Sequence, residues 1–193
     1  MQSSQKPHRD MNVKGGLLRA RFLFVALNHG PDCWARALTR LEEEDRLQMA
    51  EIDVEKWYSL QLLDRLDRAV VGELGRSEAE VFSELGEFSA TTALSGPFAS
   101  LVNPDIHSFL KQSSLIHRSY QDFGSARYEV LSETSGLLTI LYDAAPPESF
   151  CASGAAYFRR AIELCGARSA QVTHARCCGR NDAVCEFYIT WQS

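Results

Sequence analysis

The sequence predicts an α+β fold in which a helical N-terminal half packs on a small antiparallel sheet built by a β-β-α-β-β C-terminal half. Three observations carry this. Apolar residues recur at helical spacing from Val13 through Phe88. The pattern then shortens in "RYEVLS-ETSG-LLTILYD", where two β-rich runs flank a Gly-containing turn. A last long helix, "PPESFCASGAAYFRRAIELCGAR", is followed by a second hairpin, "SAQVTHARC" and "VCEFYITW".

A first helix is expected from Val13 to about Asn28 on Leu17, Leu18, Phe22, Val25 and Ala26, ended by Gly30 and Pro31. Asp32 is a candidate cap for "DCWARALTRL", and "EEEDRLQMA" reads as an acidic turn or short helix. The next helix starts behind Ser59, buries Leu62, Leu63, Leu66, Ala69 and Val70, and stops near Gly75. Ser77 caps another, with Val81, Leu85 and Phe88 on its inner face. Residues 96–120 are less regular and hold one or two further helices. In the long C-terminal helix Ser149 is placed as the cap and Gly166 as the left-handed stop, with Cys151, Gly154, Phe158, Ala161, Ile162 and Cys165 as its apolar stripe. In the last strand Cys185, Phe187, Ile189 and Trp191 share one face by alternation.

With 193 residues the chain suits one domain, read as residues 12–193 behind a polar tail of residues 1–11. A net charge of -5 with acids and bases well mixed argues against nucleic acid as a partner. No apolar run approaches the roughly 20 residues that span a bilayer, and the tail lacks the apolar core of a secretory signal. No membrane association and a cytoplasmic location are expected. The six cysteines are then read as reduced thiols, with Cys33 and Cys165 in the core. No nucleophile elbow or phosphate loop is present, so the chain is not expected to be an enzyme. His8 and His29 are assigned no role.

The stretch "HARCCGRNDAVCEF" is the chemical signal of the sequence. Zinc takes four N or S ligands arranged tetrahedrally. Cys177, Cys178 and Cys185 surround one tight hairpin, Cys151 adds a thiol at a helix N-terminus, and His174 completes a set. His174 and Cys177 stand three apart on a strand, which sends them to opposite faces unless a bulge intervenes. Two readings stay open at this point: bound zinc, or thiols used as small buried hydrophobes.

The ending Cys177, "CGRND", Cys185, Glu186, Phe187 resembles the four-vinyl-reductase-type domain. From "VKGGLLRARF" through "KWYSLQLLDRLDRAV", "YQDFG" and "ELCGAR" the chain looks like an uncharacterised branch of that superfamily abundant in myxobacteria. The resemblance implies a fold shared with phenol-sensing regulators, H-NOX sensors and TRAPP tethering subunits. It also implies a zinc set at Cys151, His174, Cys177 and Cys185, with histidine in the slot that the phenol sensors fill with an acid. His107, in "NPDIHSFL", takes a place suggestive of the H-NOX heme ligand. The accompanying Tyr-x-Ser-x-Arg motif falls on Tyr142, Ala144 and Pro146, so heme is not expected.

The function this implies is a non-enzymatic regulatory or sensory domain that binds a small apolar ligand and signals through a homodimer or a protein partner. His107, His117 and Trp57 are the candidate ligand-binding residues; the plainer reading of both histidines is solvation or a local hydrogen bond. A ligand-free interaction scaffold of the TRAPP kind and a heme-based gas sensor are the alternatives.

Overall fold

A computed structural model describes residues 11–192, with residues 114–116 in backbone only. The expected polar tail, Met11 apart, and His8 lie outside the described residues. Among the described residues no helix is long and apolar enough to cross a membrane.

The chain opens with a feature the periodicity hides. Asn12–Lys14 (β1) pairs antiparallel with Trp57–Ser59 (β2), Val13 opposite Tyr58. The helix expected from Val13 therefore starts later, at Gly15–His29 (α1). Asp122 holds β1 in place: its carboxylate accepts from the Asn12 backbone N–H at 2.8 Å and from Asn12 Nδ2 at 3.0 Å. A side chain at Gly15 would overlap the Asp53 carbonyl, so only glycine admits this approach.

Pro31–Thr39 (α2) begins with Pro31 in its first turn behind Gly30, whose φ of 87° is in the glycine region. Asp32 thus lies inside the helix and does not cap it. Glu43–Ala50 (α3) is the acidic segment. Leu60–Leu74 (α4) has the predicted cap, the Ser59 hydroxyl accepting from the Gln61 N–H, and the predicted stop at Gly75 with φ 62°. Glu78–Leu94 (α5) carries a full capping box between Ser77 and Glu80. A short 3-10 turn, Ala99–Leu101, precedes Ile106–Tyr120 (α6), which Asp105 caps through the Ser108 N–H.

Ser125–Ser132 (β3) and Ser135–Leu141 (β4) form the first hairpin. Glu148–Leu164 (α7) then crosses the sheet, and Ser169–Arg176 (β5) with Cys185–Gln192 (β6) makes the second. The strand order is β3-β4-β6-β5, antiparallel throughout. Two expectations for α7 change. Ser149 does not cap it: Pro147 occupies that position and Ser149 donates to Asp64 on α4 at 2.6 Å. Gly154 faces open space, while Ser153 and Ala156 are buried in its place.

Two apolar clusters result. One joins α1–α4 and the first half of α5 through Val25, Leu63, Leu66, Val81 and Leu85; the other joins the end of α5, α6, α7 and the sheet through Leu94, Phe109, Leu138, Ile162 and Phe187. Helix α5 serves both, and it meets α7 so closely that a methyl group at Gly86 would overlap the Ser153 carbonyl. Gly86→Ala gains helix propensity worth roughly 1 kcal/mol, yet the clash is with backbone and cannot be relieved by a rotamer. We expect a net loss of about 1–3 kcal/mol in urea melts; an unchanged midpoint would show that α5 and α7 slide apart freely.

Between the two clusters lies a buried ion pair. Arg21 and Asp67 are 2% and 1% exposed. Arg21 Nε and Nη2 donate to the two Asp67 oxygens at 2.9 and 3.1 Å, Nη1 to Ser89 Oγ at 2.6 Å, and Nη2 also to Ser153 Oγ at 3.2 Å. One guanidinium thus ties α1 to α4, α5 and α7.

Candidate metal centre

The site is assembled where the first turns of α7 meet the turn between β5 and β6. Cys151 comes from α7, His174 from β5, Cys177 from the residue after that strand, and Cys185 from the first residue of β6. Their donor atoms all lie within 4.8 Å of one another. The geometric objection raised by a flat strand is removed by a register shift: His174 pairs with Phe187, Arg176 pairs with Glu186, and the extra residue turns Cys177 back to the side of His174.

The turn itself is fixed by hydrogen bonds. The Cys177 N–H donates to Asp182 Oδ2 at 2.7 Å, and the Cys177 carbonyl accepts from the N–H groups of Arg180 at 2.8 Å and Asp182 at 3.1 Å. Asn181 closes the 3-10 turn Cys178–Arg180 at φ 70°. The Arg180 guanidinium returns to the His174 carbonyl at 2.9 Å. The His174 ring lies flat on Phe187, centroids 4.3 Å and planes 9° apart, which sets its direction.

Three features suit this set to a metal. The His174 Nε2 atom is buried without a hydrogen-bond partner, a state that costs about 1–3 kcal/mol unless something satisfies it. Cys151 Sγ and Cys185 Sγ stand 3.9 Å apart, against about 3.8 Å for two sulfurs on a tetrahedral ion with 2.3 Å bonds. The charge is also prepared: hydrogen bonding from Cys151 pulls the Cys185 thiol down to about 4 despite its burial, with the Cys178 backbone N–H helping. Cys151 is pushed well up, first by that same bond and then by burial. Within this pair the negative charge is therefore favoured on Cys185, with Cys151 donating to it.

Cys178 stands outside the four. It is half-buried, its N–H donates to Cys185 Sγ at 3.4 Å, and burial with the Cys185 charge raises its thiol to about 11.

The three candidate ligand-binding residues do not converge. Trp57 sits on β2, 44% exposed, with Lys14 Nζ 4.6 Å from its ring centroid. His117, near the end of α6, bonds the Phe123 carbonyl at 2.9 Å, and burial lowers its basicity. His107, in the first turn of α6, has both ring nitrogens engaged, Nδ1 with Tyr128 Oη at 2.8 Å and Nε2 with the Glu133 carbonyl at 3.1 Å. Its ring lies edge-on to Trp191. Sequence reasoning missed the buried Arg21–Asp67 pair and a cleft between α1, α5 and α7; an acid placed among the apolar residues of α4 was the one available signal for the pair.

No protein-family model matches the chain, and no curated protein matches it. Solved structures do. The H-NOX protein of S. oneidensis in its Fe(II)NO state superposes with a TM-score of 0.73 at 15% identity, covering 93% of this chain and 99% of that one. An NMR structure of the S. oneidensis H-NOX domain in its Fe(II)CO state gives 0.74 at 17%, with coverage of 93% and 99%. The unliganded Fe(II) H-NOX protein of K. algicida gives 0.70 at 12%, with 93% and 97%. This chain has the H-NOX fold, and within it a Cys3His group that can hold a metal ion.

Proposed function

We propose that the protein is a non-enzymatic regulatory domain that responds to a small molecule and signals through a homodimer or a protein partner, with a zinc ion clamping its β5–β6 hairpin to α7. The fold likeness supports a sensory role. The observation that carries the clamp is the convergence of Cys151, His174, Cys177 and Cys185 around a buried, unpartnered imidazole nitrogen. A closed set of four protein ligands leaves no open position for substrate, which is the pattern of a structural zinc and not of a catalytic one. The ion would satisfy His174 Nε2 and neutralise thiolates that burial otherwise disfavours. Elemental analysis of protein purified without chelator tests this: about one zinc per chain, lost in Cys185→Ser and kept in Cys178→Ser, is expected. Zinc near zero in the unmodified chain would remove the clamp.

Affinity should depend on pH with a defined sign. Hydrogen bonding favours the Cys185 thiolate, whereas Cys151 is held protonated and must surrender a proton to bind. Zinc binding therefore releases at least one proton, and log K should rise by about one or more per pH unit near neutrality. Competition titrations from pH 6 to 8 read the slope; a pH-independent affinity would mean that Cys151 is not a ligand.

The H-NOX neighbours, solved as Fe(II) species, favour one second reading, a heme-based gas sensor at His107. The residues present fit heme poorly: both His107 nitrogens have protein partners, and Ala144 and Pro146 offer no polar anchor where the resemblance asks for Ser and Arg. No Soret band is expected after heme reconstitution. A band abolished by His107→Ala would establish the second reading.

A further inference from the structure

Between the C-terminal end of α1, the middle of α5 and the second half of α7 lies a cleft of about 560 Å³, within the roughly 300–1,000 Å³ typical of small-molecule sites. Its floor is aromatic. Phe24 and Phe88 meet edge to face with centroids 5.7 Å apart, and His29 lies edge-on to Phe24 at 5.5 Å. Above this floor stand two acids and two arginines, and their pairing is uneven. Glu84 is held by both terminal nitrogens of Arg76 at 2.7 and 2.9 Å, and Glu87 is held from outside the cleft by Arg159. Arg160 is matched less completely: Nε donates to Thr91 Oγ1 at 3.3 Å and Nη1 to Glu163 at 3.2 Å. Its Nη2 has no hydrogen-bond partner among the described residues, and neither ring nitrogen of His29 has one. Both acids are thus neutralised, while the spare donors belong to Arg160 and His29.

We propose that this cleft binds an organic monocarboxylate with an aromatic or branched alkyl body, the body lying on Phe24 and Phe88 and the carboxylate on Arg160 with His29 beside it. The uneven pairing favours an anion over a cation, since a cation would have to displace an arginine from Glu84 or Glu87. A guanidinium next to an apolar floor is well placed for a carboxylate, because charge-assisted bonds strengthen where water is partly excluded. The proposal rests on the reading of the chain as a small-molecule-responsive domain and supplies that domain's ligand class. It is spatially separate from the metal centre: Arg160 follows Cys151 by nine residues on α7, about 13 Å along the helix axis.

The test is a titration of the full 15N-labelled chain with 3-phenylpropionate, followed by amide shifts. Saturable shifts centred on Asn28, Phe88 and Arg160 are expected. Affinity should fall about tenfold in Arg160→Gln and about tenfold for the uncharged 3-phenylpropanol, the loss of one charge-assisted contact. Phe88→Leu, which keeps an apolar core residue, should weaken both probes alike. No saturable shift up to about 10 mM, the weak end of fragment binding, would overturn the proposal; so would shifts mapping elsewhere, or the alcohol binding as well as the acid. Sedimentation velocity with and without saturating acid separates the two readings. Cleft binding with an unchanged sedimentation coefficient would count against signalling by dimerisation and leave the site standing, and an unmodified chain that binds the acid but purifies without zinc would remove the clamp and leave the site standing.

Discussion

Asp67→Ala is expected to destabilise the protein by about 3–5 kcal/mol, a large fraction of the stability of any domain this size. The reason is what remains. The Arg21 guanidinium is 2% exposed and would keep only the hydroxyls of Ser89 and Ser153 and a long contact to the Leu85 carbonyl. The intact pair is itself no large source of stability: burial pushes the Asp67 carboxyl up, and the Arg21 charge pulls it only partly back. Desolvation thus works against the attraction, as it commonly does in buried ion pairs. The double replacement Arg21→Met with Asp67→Leu should accordingly recover most of the loss, since it removes both charges and fills the space. Urea melts of the two singles and the double close the cycle. A double variant as unstable as Asp67→Ala would show that the pair stabilises the fold outright.

How far the sequence reveals the fold depends on the length of each element. α4 is legible from Ser59 to Gly75 because fifteen residues give the apolar stripe time to declare itself, and the cap and stop are residue types with one physical job. β1 and β2 are not, because three residues have no period; they are strands because they pair with each other across more than forty residues, with Asp122 holding Asn12. Arg21 is invisible for a related reason. An arginine in an amphipathic helix is ordinarily on the wet face, and only the convergence of α4, α5 and α7 reverses that. At the metal centre the four residues are legible and their convergence is not. The bulge between His174 and Arg176 decides it, and no residue in "THAR" announces a bulge. The surroundings of the ligand candidates are not legible either: a histidine's partners decide its availability, and Tyr128, Glu133 and Phe123 are set by the hairpin and the turn after α6.

α7 is where these parts meet, and its first two turns are held on two sides. Ser149 and Ser153 reach Asp64 and Arg21 in the helical half, while Cys151, between them in sequence, reaches the β5–β6 turn. A turn of helix anchored in this way cannot adjust to one side without straining the other. The β5–β6 turn has no comparable apolar anchor: Cys178 to Val184 contribute no buried residue, so its position depends on the cysteines and on the Asp182 bonds.

Removing the metal should therefore be felt strongly and in one place. If zinc is present at about a thousand times its dissociation constant, binding contributes about 4 kcal/mol, and at 2–4 °C per kcal/mol for a chain of this length the melting temperature should fall by about 8–16 °C on chelation. Cys185→Ser should reproduce the fall with no chelator, and Cys178→Ser should not. The fold should survive, unlike a zinc finger, because both apolar clusters are complete without the ion. Hydrogen exchange adds the location: amides of Arg176 to Glu186 and of the first turn of α7 should exchange faster, while those of α4, closed by Ser59 and Gly75 and packed through Leu63 and Leu66, should not change. Equal acceleration throughout would mean the ion supports the whole fold, and no acceleration would mean that Asp182 and the buried thiols hold the turn unaided. The second result would return the cluster to what its burial alone suggests, a core that uses cysteine as a small apolar residue.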